Sequence, residues 1–165
     1  MKILVISDTH IPTTVRQLPP AIESEARKCS CCLHAGDIID CDTLDRLSQL
    51  TTVYAVCGNM DNPSIIDKLP KKIIVSLGEV KIALTHGHGS PMHIIESVDM
   101  IFAEEKDTID AFVFGHSHVP CNQKINGKLY FNPGSPTDTI FAPKRTYGIL
   151  EIAGKEITGR IIDLG

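Results

Sequence analysis

The sequence predicts an α/β fold in which two β-sheets pack together with helices on the outside. Three observations carry this. Five short apolar runs are bounded by glycine or by polar motifs, the pattern of buried strands. In the first part of the chain such runs alternate with helical patterns, a βαβαβ order that implies a parallel sheet with right-handed crossovers. In the remainder, runs follow one another across tight turns, as antiparallel hairpins do.

Taken in order, KILVIS (2–7) is the first strand. A loop at 11–20, containing Pro12, Pro19 and Pro20, follows it, and a short helix at about 20–28 crosses to the second strand at 31–35. Segment 42–50 carries Leu44, Leu47 and Leu50 at helical spacing and crosses to the third strand, VYAVC (53–57). Residues 71–85 read as a hairpin turning at Gly78-Glu79. The spacing then predicts a helix at about 91–106, with Ser90 as N-cap and Pro91 in the first helical position. Ile94, Ile95, Val98, Ile101 and Phe102 form its apolar stripe. After a strand at 111–115, Asn126-Gly127 stands where a type I′ hairpin turn belongs, and 146–163 make a third hairpin.

Composition narrows the function classes. The 165 residues suit a single domain, 1–165, with a substantial core. Net charge is −4, and basic residues cluster only as the pairs Lys71-Lys72 and Lys144-Arg145. Affinity for long nucleic acid depends on many phosphate contacts, so such a partner is not expected. No apolar stretch reaches membrane-span length, and the run in MKILVISD is too short for a signal sequence, so a cytoplasmic protein without a membrane partner is expected. Six cysteines are present. Cys29 and Cys32 form a C-x-x-C, but no second pair completes a four-thiolate site, and Cys31 and Cys32 should face opposite sides of a strand. Packing is their expected role.

The residues just past the five apolar runs are more specific. The runs lead into Asp8-Thr9-His10, Gly36-Asp37, Gly58-Asn59-Met60-Asp61, His86-Gly87-His88 and Gly115-His116-Ser117-His118. Each motif alone is ordinary turn chemistry. Jointly, at the carboxyl ends of strands where open α/β sheets bind ligands, they point to one shared site. Oxygen and imidazole donors without a matching set of thiolates suit hard-to-borderline metals. His34 reads equally as an orienting group or a packed strand histidine. His93 should face solvent, Asp40, Asp42 and Asp45 read as helix-start and surface charges, and Asn132-Pro133-Gly134-Ser135 as turn chemistry.

This series of motifs resembles the calcineurin-like metallophosphoesterases. The compact length, the opening SDTH and Asn132-Pro133-Gly134-Ser135 resemble its small single-domain prokaryotic phosphodiesterases. The resemblance implies a four-layer α/β/β/α sandwich of two mixed β-sheets flanked by helices. It places Asp8, His10, Asp37 and His118 on one metal, and Asp37, Asn59, His86 and His116 on a second, with Asp37 bridging. The implied activity is hydrolysis of a small phosphodiester by a hydroxide bridging two divalent transition metals. Mn²⁺ is the first expectation, with Fe, Co, Ni and Zn also compatible with the donors. Two divalent ions less two carboxylates and one hydroxide leave a net positive site that attracts a phosphate anion. Asn59 is expected to present its amide to substrate, and His88 either to orient a neighbouring ligand or to contact substrate, with Asp37 as the catalytic bridge. Small relatives self-associate, which implies a homo-oligomer as an option. Two other readings are a non-catalytic scaffold like the retromer subunit of this fold, and a phosphomonoesterase. Against the latter, the chain has no insertion large enough to cap the site. One departure stands out: many relatives carry histidine after Gly-Asn as the proton donor, and here the residue is Met60, followed by Asp61.

Overall fold

Alternation along each strand decides which layer a side chain enters. Along β1 (Lys2–Ile6), Ile3 and Val5 face one apolar cluster while Leu4 and Ile6 face another. The same division runs through β2 (Cys31–His34), where Cys31 and Leu33 turn one way and Cys32 the other. The adjacent cysteines thus lie on opposite faces, and all six thiols are free. The computed structural model describes residues 1–165.

The first sheet has the order β10-β9-β1-β2-β3, with β3 (Thr52–Ala55), β9 (Thr146–Ala153) and β10 (Glu156–Asp163) completing it. β1–β2 and β2–β3 are parallel, whereas β9 joins β1 and β10 antiparallel. The second sheet has the order β4-β5-β6-β8-β7, built from β4 (Lys72–Leu77), β5 (Val80–Thr85), β6 (Ala111–Val113), β7 (Cys121–Ile125) and β8 (Lys128–Asn132). It too is mixed: β5–β6 and β6–β8 are parallel, β4–β5 and β7–β8 antiparallel. Asn126 and Gly127 at the β7–β8 turn both have positive φ, 50° and 81°, as a type I′ turn requires.

The sheets pack face to face over Ile3, Val5, Leu33, Ile82, Leu84, Val113 and Phe131 among others. Helices cover the outer faces. α1 (Pro20–Ala26) and α2 (Cys41–Ser48) lay Ile22, Ala26 and Leu47 on the first sheet. On the second, α4 (Ile94–Ile101) brings Ile94 and Val98, with Phe102 just beyond, onto Ala83, Phe112 and Tyr130. The rings of Phe112 and Tyr130 stack 4.8 Å apart. This is the α/β/β/α sandwich. Each fully buried Ile, Leu or Phe contributes about 1.5–3 kcal/mol, so the three apolar layers carry most of the stabilisation.

Two local expectations need correction, and one short helix was not expected. The helix expected over 91–106 is a 3₁₀ turn at Pro91–His93, then α4, then a second 3₁₀ turn at Lys106–Thr108. Its apolar stripe ends at Phe102, and the polar Glu104-Glu105-Lys106 that follows gives further helical turns no face to bury. Ser90 makes no side-chain cap; Pro91 opens the 3₁₀ turn, with the Ser90 carbonyl accepting from His93 N–H. A four-residue helix, α3 (Pro63–Ile66), buries Ile65 against Ile38 and is too short to show a period. Asp40 caps α2 by accepting from Thr43 N–H, as its place before the helix implies. No helix is long and apolar enough to cross a membrane.

Candidate metal centre

Five loops leave the carboxyl ends of strands at one edge and converge. β1 delivers Asp8 and His10, β2 Asp37, β3 Asn59, β5 His86, and β6 His116 and His118. Asp8, His10, Asp37 and His86 are buried, His116 and His118 half-buried, and Asn59 exposed. The glycines in these motifs permit the approach. A Cβ on Gly115 would lie 1.9 Å from Ser7 Oγ, and one on Gly58 2.1 Å from Asp37 Oδ1.

The backbone there is strained. Seven non-glycine residues have positive φ, and five of them are Asp8, His10, Asp37, His116 and His118, at 46–69°. Each such residue costs about 1–3 kcal/mol, and such conformations persist where the surroundings hold them. Here the reward is direction: side chains from separate loops meet within hydrogen-bond distance.

Two sets of donors result, sharing the carboxylates. In one, His10 Nε2 lies 3.3 Å from His118 Nε2 and 3.5 Å from Asp37 Oδ2, and His118 Nε2 is 3.4 Å from Asp8 Oδ1. In the other, Asn59 Oδ1 is 3.1 Å from His86 Nε2 and 3.0 Å from His116 Nδ1. His86 Nε2 also stands 3.4 Å from Asp37 Oδ2 and 4.0 Å from Asp8 Oδ1. Asp37 Oδ2 is thus nearly equidistant from His10 and His86, the position a bridging oxygen needs. Its other oxygen accepts from Met60 N–H at 2.8 Å.

Outward hydrogen bonds fix the rings. His86 Nδ1 faces the Ala35 carbonyl at 2.8 Å, and His116 Nε2 the Gly89 carbonyl at 2.8 Å. A carbonyl only accepts, so those nitrogens carry the protons and the opposite nitrogens turn inward. His118 Nδ1 likewise donates to Asp138. With the rings neutral, these tautomers turn His86 Nε2, His116 Nδ1 and Asn59 Oδ1 to one point as three acceptors, an arrangement that a cation, either a proton on His86 or a metal ion, resolves. The donor set fits a divalent ion on this ground.

Charge points the same way. Burial opposes protonation of His86, yet the Asp37 hydrogen bond and the charges of Asp8 and Asp37 outweigh it and push its pKa up to about 9. His118 is pushed up to about 9, against burial, by Asp8 and Asp138. Burial also disfavours ionised Asp37, but His86 and the Met60 N–H hold its carboxyl below the usual value. The carboxylates draw positive charge to this spot; a metal would displace the protons that supply it here.

Several residues support the site from outside the donor set, and of these Asp138 and Thr137 were not identified from the sequence. Asp138 lies twenty positions from the histidine it orients, in a Pro- and Thr-rich stretch without periodicity, and also accepts the N–H groups of Ile140, Phe141 and Ala142. Ser135 Oγ donates to the Asp8 carbonyl and Thr137 Oγ1 to the Thr9 carbonyl, both at 2.7 Å, so the Asn132–Ser135 turn braces the first loop. Asp61 is buried and accepts from Ile38, Ile39 and Gly58 N–H groups at 2.6–2.7 Å, clamping the Asp37 loop to the Asn59 loop. His34 is fully buried beside Thr9, and burial lowers its pKa to about 4, so it is a neutral packed residue. His88 is exposed in the wall of an adjoining cavity, and His93 is exposed as expected.

Similarity to known proteins agrees with this architecture. Residues 1–155 match the calcineurin-like phosphoesterase superfamily domain. A probable metallophosphoesterase of Methanothermobacter thermautotrophicus is 32% identical, over all of this chain and 94% of its own. Vacuolar protein sorting 29 of Cryptosporidium parvum superposes with a TM-score of 0.83 at 25% identity, covering 99% of this chain and 91% of that one. A structure described as that of a novel archaeal phosphodiesterase superposes with a TM-score of 0.72 at 22% identity, covering 98% and 100%. The chain belongs to the calcineurin-like phosphoesterase superfamily.

Proposed function

We propose that this protein is a metal-dependent phosphodiesterase acting on a small diester. The observation that carries the reading is the convergence of inward-facing imidazole, amide and carboxylate acceptors in two sets that share Asp37 and Asp8. Asp8, His10, Asp37 and His118 would hold one ion; Asp37, Asn59, His86 and His116 the other. Bound there, two divalent ions, Mn²⁺ first among them, supply Lewis-acid stabilisation of phosphoryl oxygens and a water acidic enough to serve as nucleophile near neutral pH.

The remaining work falls to the chain. Asn59 turns its oxygen toward the two histidines, which leaves its amide N–H groups for a phosphoryl oxygen. His88, exposed on the cavity side, is placed to contact substrate or leaving group. Met60 holds Asp37 through its backbone, and its thioether donates no proton. Asp61 spends both oxygens on three backbone N–H groups, which removes it as a proton donor. Good leaving groups should therefore be favoured.

A scaffold reading has one support, the fold shared with vacuolar protein sorting 29. The two separate on one experiment. The purified chain, supplied with Mn²⁺, should bind up to two ions by elemental analysis, melt at higher temperature and hydrolyse bis-p-nitrophenyl phosphate, and chelation should abolish all three. Metal uptake and thermal shift without turnover would favour the scaffold.

A further inference from the structure

A cavity of 680 Å³ opens from the Asn59 and His86 side of the candidate metal centre. It is far larger than an inorganic anion needs and falls within the roughly 300–1,000 Å³ range of sites that enclose a whole small molecule. Its charge is unusual for a chain of net charge −4: two lysines line it and no carboxylate does. The lysines are not equivalent. Lys72 Nζ is committed, donating to the Ile101 carbonyl at 2.9 Å and to Glu105 at 3.0 Å, and lying 5.0 Å from the centre of the Phe102 ring. The Lys71 ammonium has no ion pair and no hydrogen-bond partner within the chain.

Lys71 is nevertheless well placed. The β4–β5 register pairs Lys72 with Thr85, which sets Lys71 across from His86 at the same end of the sheet. Thr85 Oγ1 donates to the Lys71 carbonyl at 3.1 Å, so the lysine backbone is tied to the strand that delivers His86. Ile66 and Ile101 supply apolar wall between the polar groups.

We infer that this cavity receives one ester arm of the substrate and that Lys71 selects an arm bearing a second anionic group, a phosphate in the simplest case. The inference rests on the phosphodiesterase reading for its substrate, and names the class: diesters with a further phosphate on an organic arm, as in nucleoside bisphosphate esters. An exposed lysine–phosphate contact contributes up to about 1 kcal/mol, which is at most about a 5-fold preference.

The test compares two esters on the metal-loaded full chain: p-nitrophenyl thymidine 5′-phosphate and the same ester carrying a 3′-phosphate. The ratio of kcat/KM should favour the 3′-phosphorylated ester by about 2- to 5-fold at low salt and shrink as salt screens the contact. Lys71→Gln should bring the ratio near one, and Lys71→Arg should hold it. Calorimetric binding of thymidine 3′,5′-bisphosphate against thymidine 5′-phosphate, with the same variants, reads the contact without turnover. If neither ester is cleaved but the bisphosphate binds with a Lys71-dependent preference, the hydrolase reading fails and this one stands. If the esters are cleaved, or the nucleotides bound, without preference, this inference fails alone. A preference that survives Lys71→Gln and is lost in Lys72→Gln also overturns it.

Discussion

The two halves of the candidate metal centre are built differently. Around Asp8, His10, Asp37 and His118 all four residues sit at positive φ, and their side chains are buried or half-buried. Among the residues that belong to the other half alone, Asn59 and His86 have ordinary backbones and only His116 is left-handed, and Asn59 is exposed beside the cavity. The first half is also braced from behind, by Ser135 and Thr137 on the Asp8 loop and by Asp138 on His118. The difference teaches a division of labour. Strain and bracing concentrate where geometry must be fixed, and the relaxed half is the one that opens toward the cavity.

Asp37 belongs to both halves, so its loss should have the largest effect. Asp37→Asn keeps the shape and removes the charge shared by His10 and His86. Turnover of bis-p-nitrophenyl phosphate should fall at least about 10²-fold, with fewer ions retained after dialysis. A variant that keeps two ions and near-normal turnover would show that Asp8 alone joins the halves.

Asp138→Asn probes the bracing of the first half only. His118 would lose its carboxylate partner while every inward-facing donor remains. Removing such a partner typically costs about 10–100-fold in metal affinity or activity, so metal titration should show one ion weakened and the other little changed. Equal weakening of both would mean that the halves are mechanically one unit.

Much of this site was legible in the chain because the information is local. Polar residues directly after KILVI, KIALT and AFVFG must stand at strand ends, and those ends share an edge in a parallel arrangement. The face assignment of Cys31 and Cys32 follows from a period of two in the same way. What could not be read is set by tertiary contact. Nothing near Asp138 announces His118. Asp61 looks like part of the ligand motif, yet it is a clamp on backbone N–H groups from another loop. The sign of φ at Asp8 and His10 depends on hydrogen bonds from their N–H groups to the carbonyls of Gly36 and Asp37, a neighbour that the sequence does not adjoin.

The proton donor tests the open half. Met60 is exposed at the edge of the site. General acid catalysis is worth about 10²–10⁴-fold when the acid is well placed, so without it the rate should depend steeply on leaving-group pKa. An unoptimised imidazole captures part of that. Met60→His should raise cleavage of alkyl leaving groups by roughly 10-fold, leave aryl esters little changed and flatten the dependence. A flat dependence in the unmodified protein would show that another group donates the proton, and His88→Ala is the variant that identifies it.

The smallest expected effect is on stability, and its sign separates protons from metal. In the chelated protein His86 and His118 titrate near 9, above their ordinary value of 6.5. A group whose folded pKa is raised stabilises fully below the unfolded value and loses that contribution as pH rises through the folded one. The metal-free melting temperature should therefore fall between pH 6.5 and 8. Three further shifts act outside that window. His34, lowered to about 4, acts between pH 4 and 6.5, where stability falls as pH drops. Asp37 acts below the ordinary carboxylate value, and the buried thiols, such as Cys31 raised to about 11, act near and above pH 9. With saturating Mn²⁺ the trend should reverse or flatten, because the metal competes with those two protons and binds better as they leave. The gap between the two melting curves should widen steadily with pH. A metal-free curve that is flat from 6.5 to 8 would mean that the carboxylates do not hold those protons, and the charge argument for the site would lose its footing.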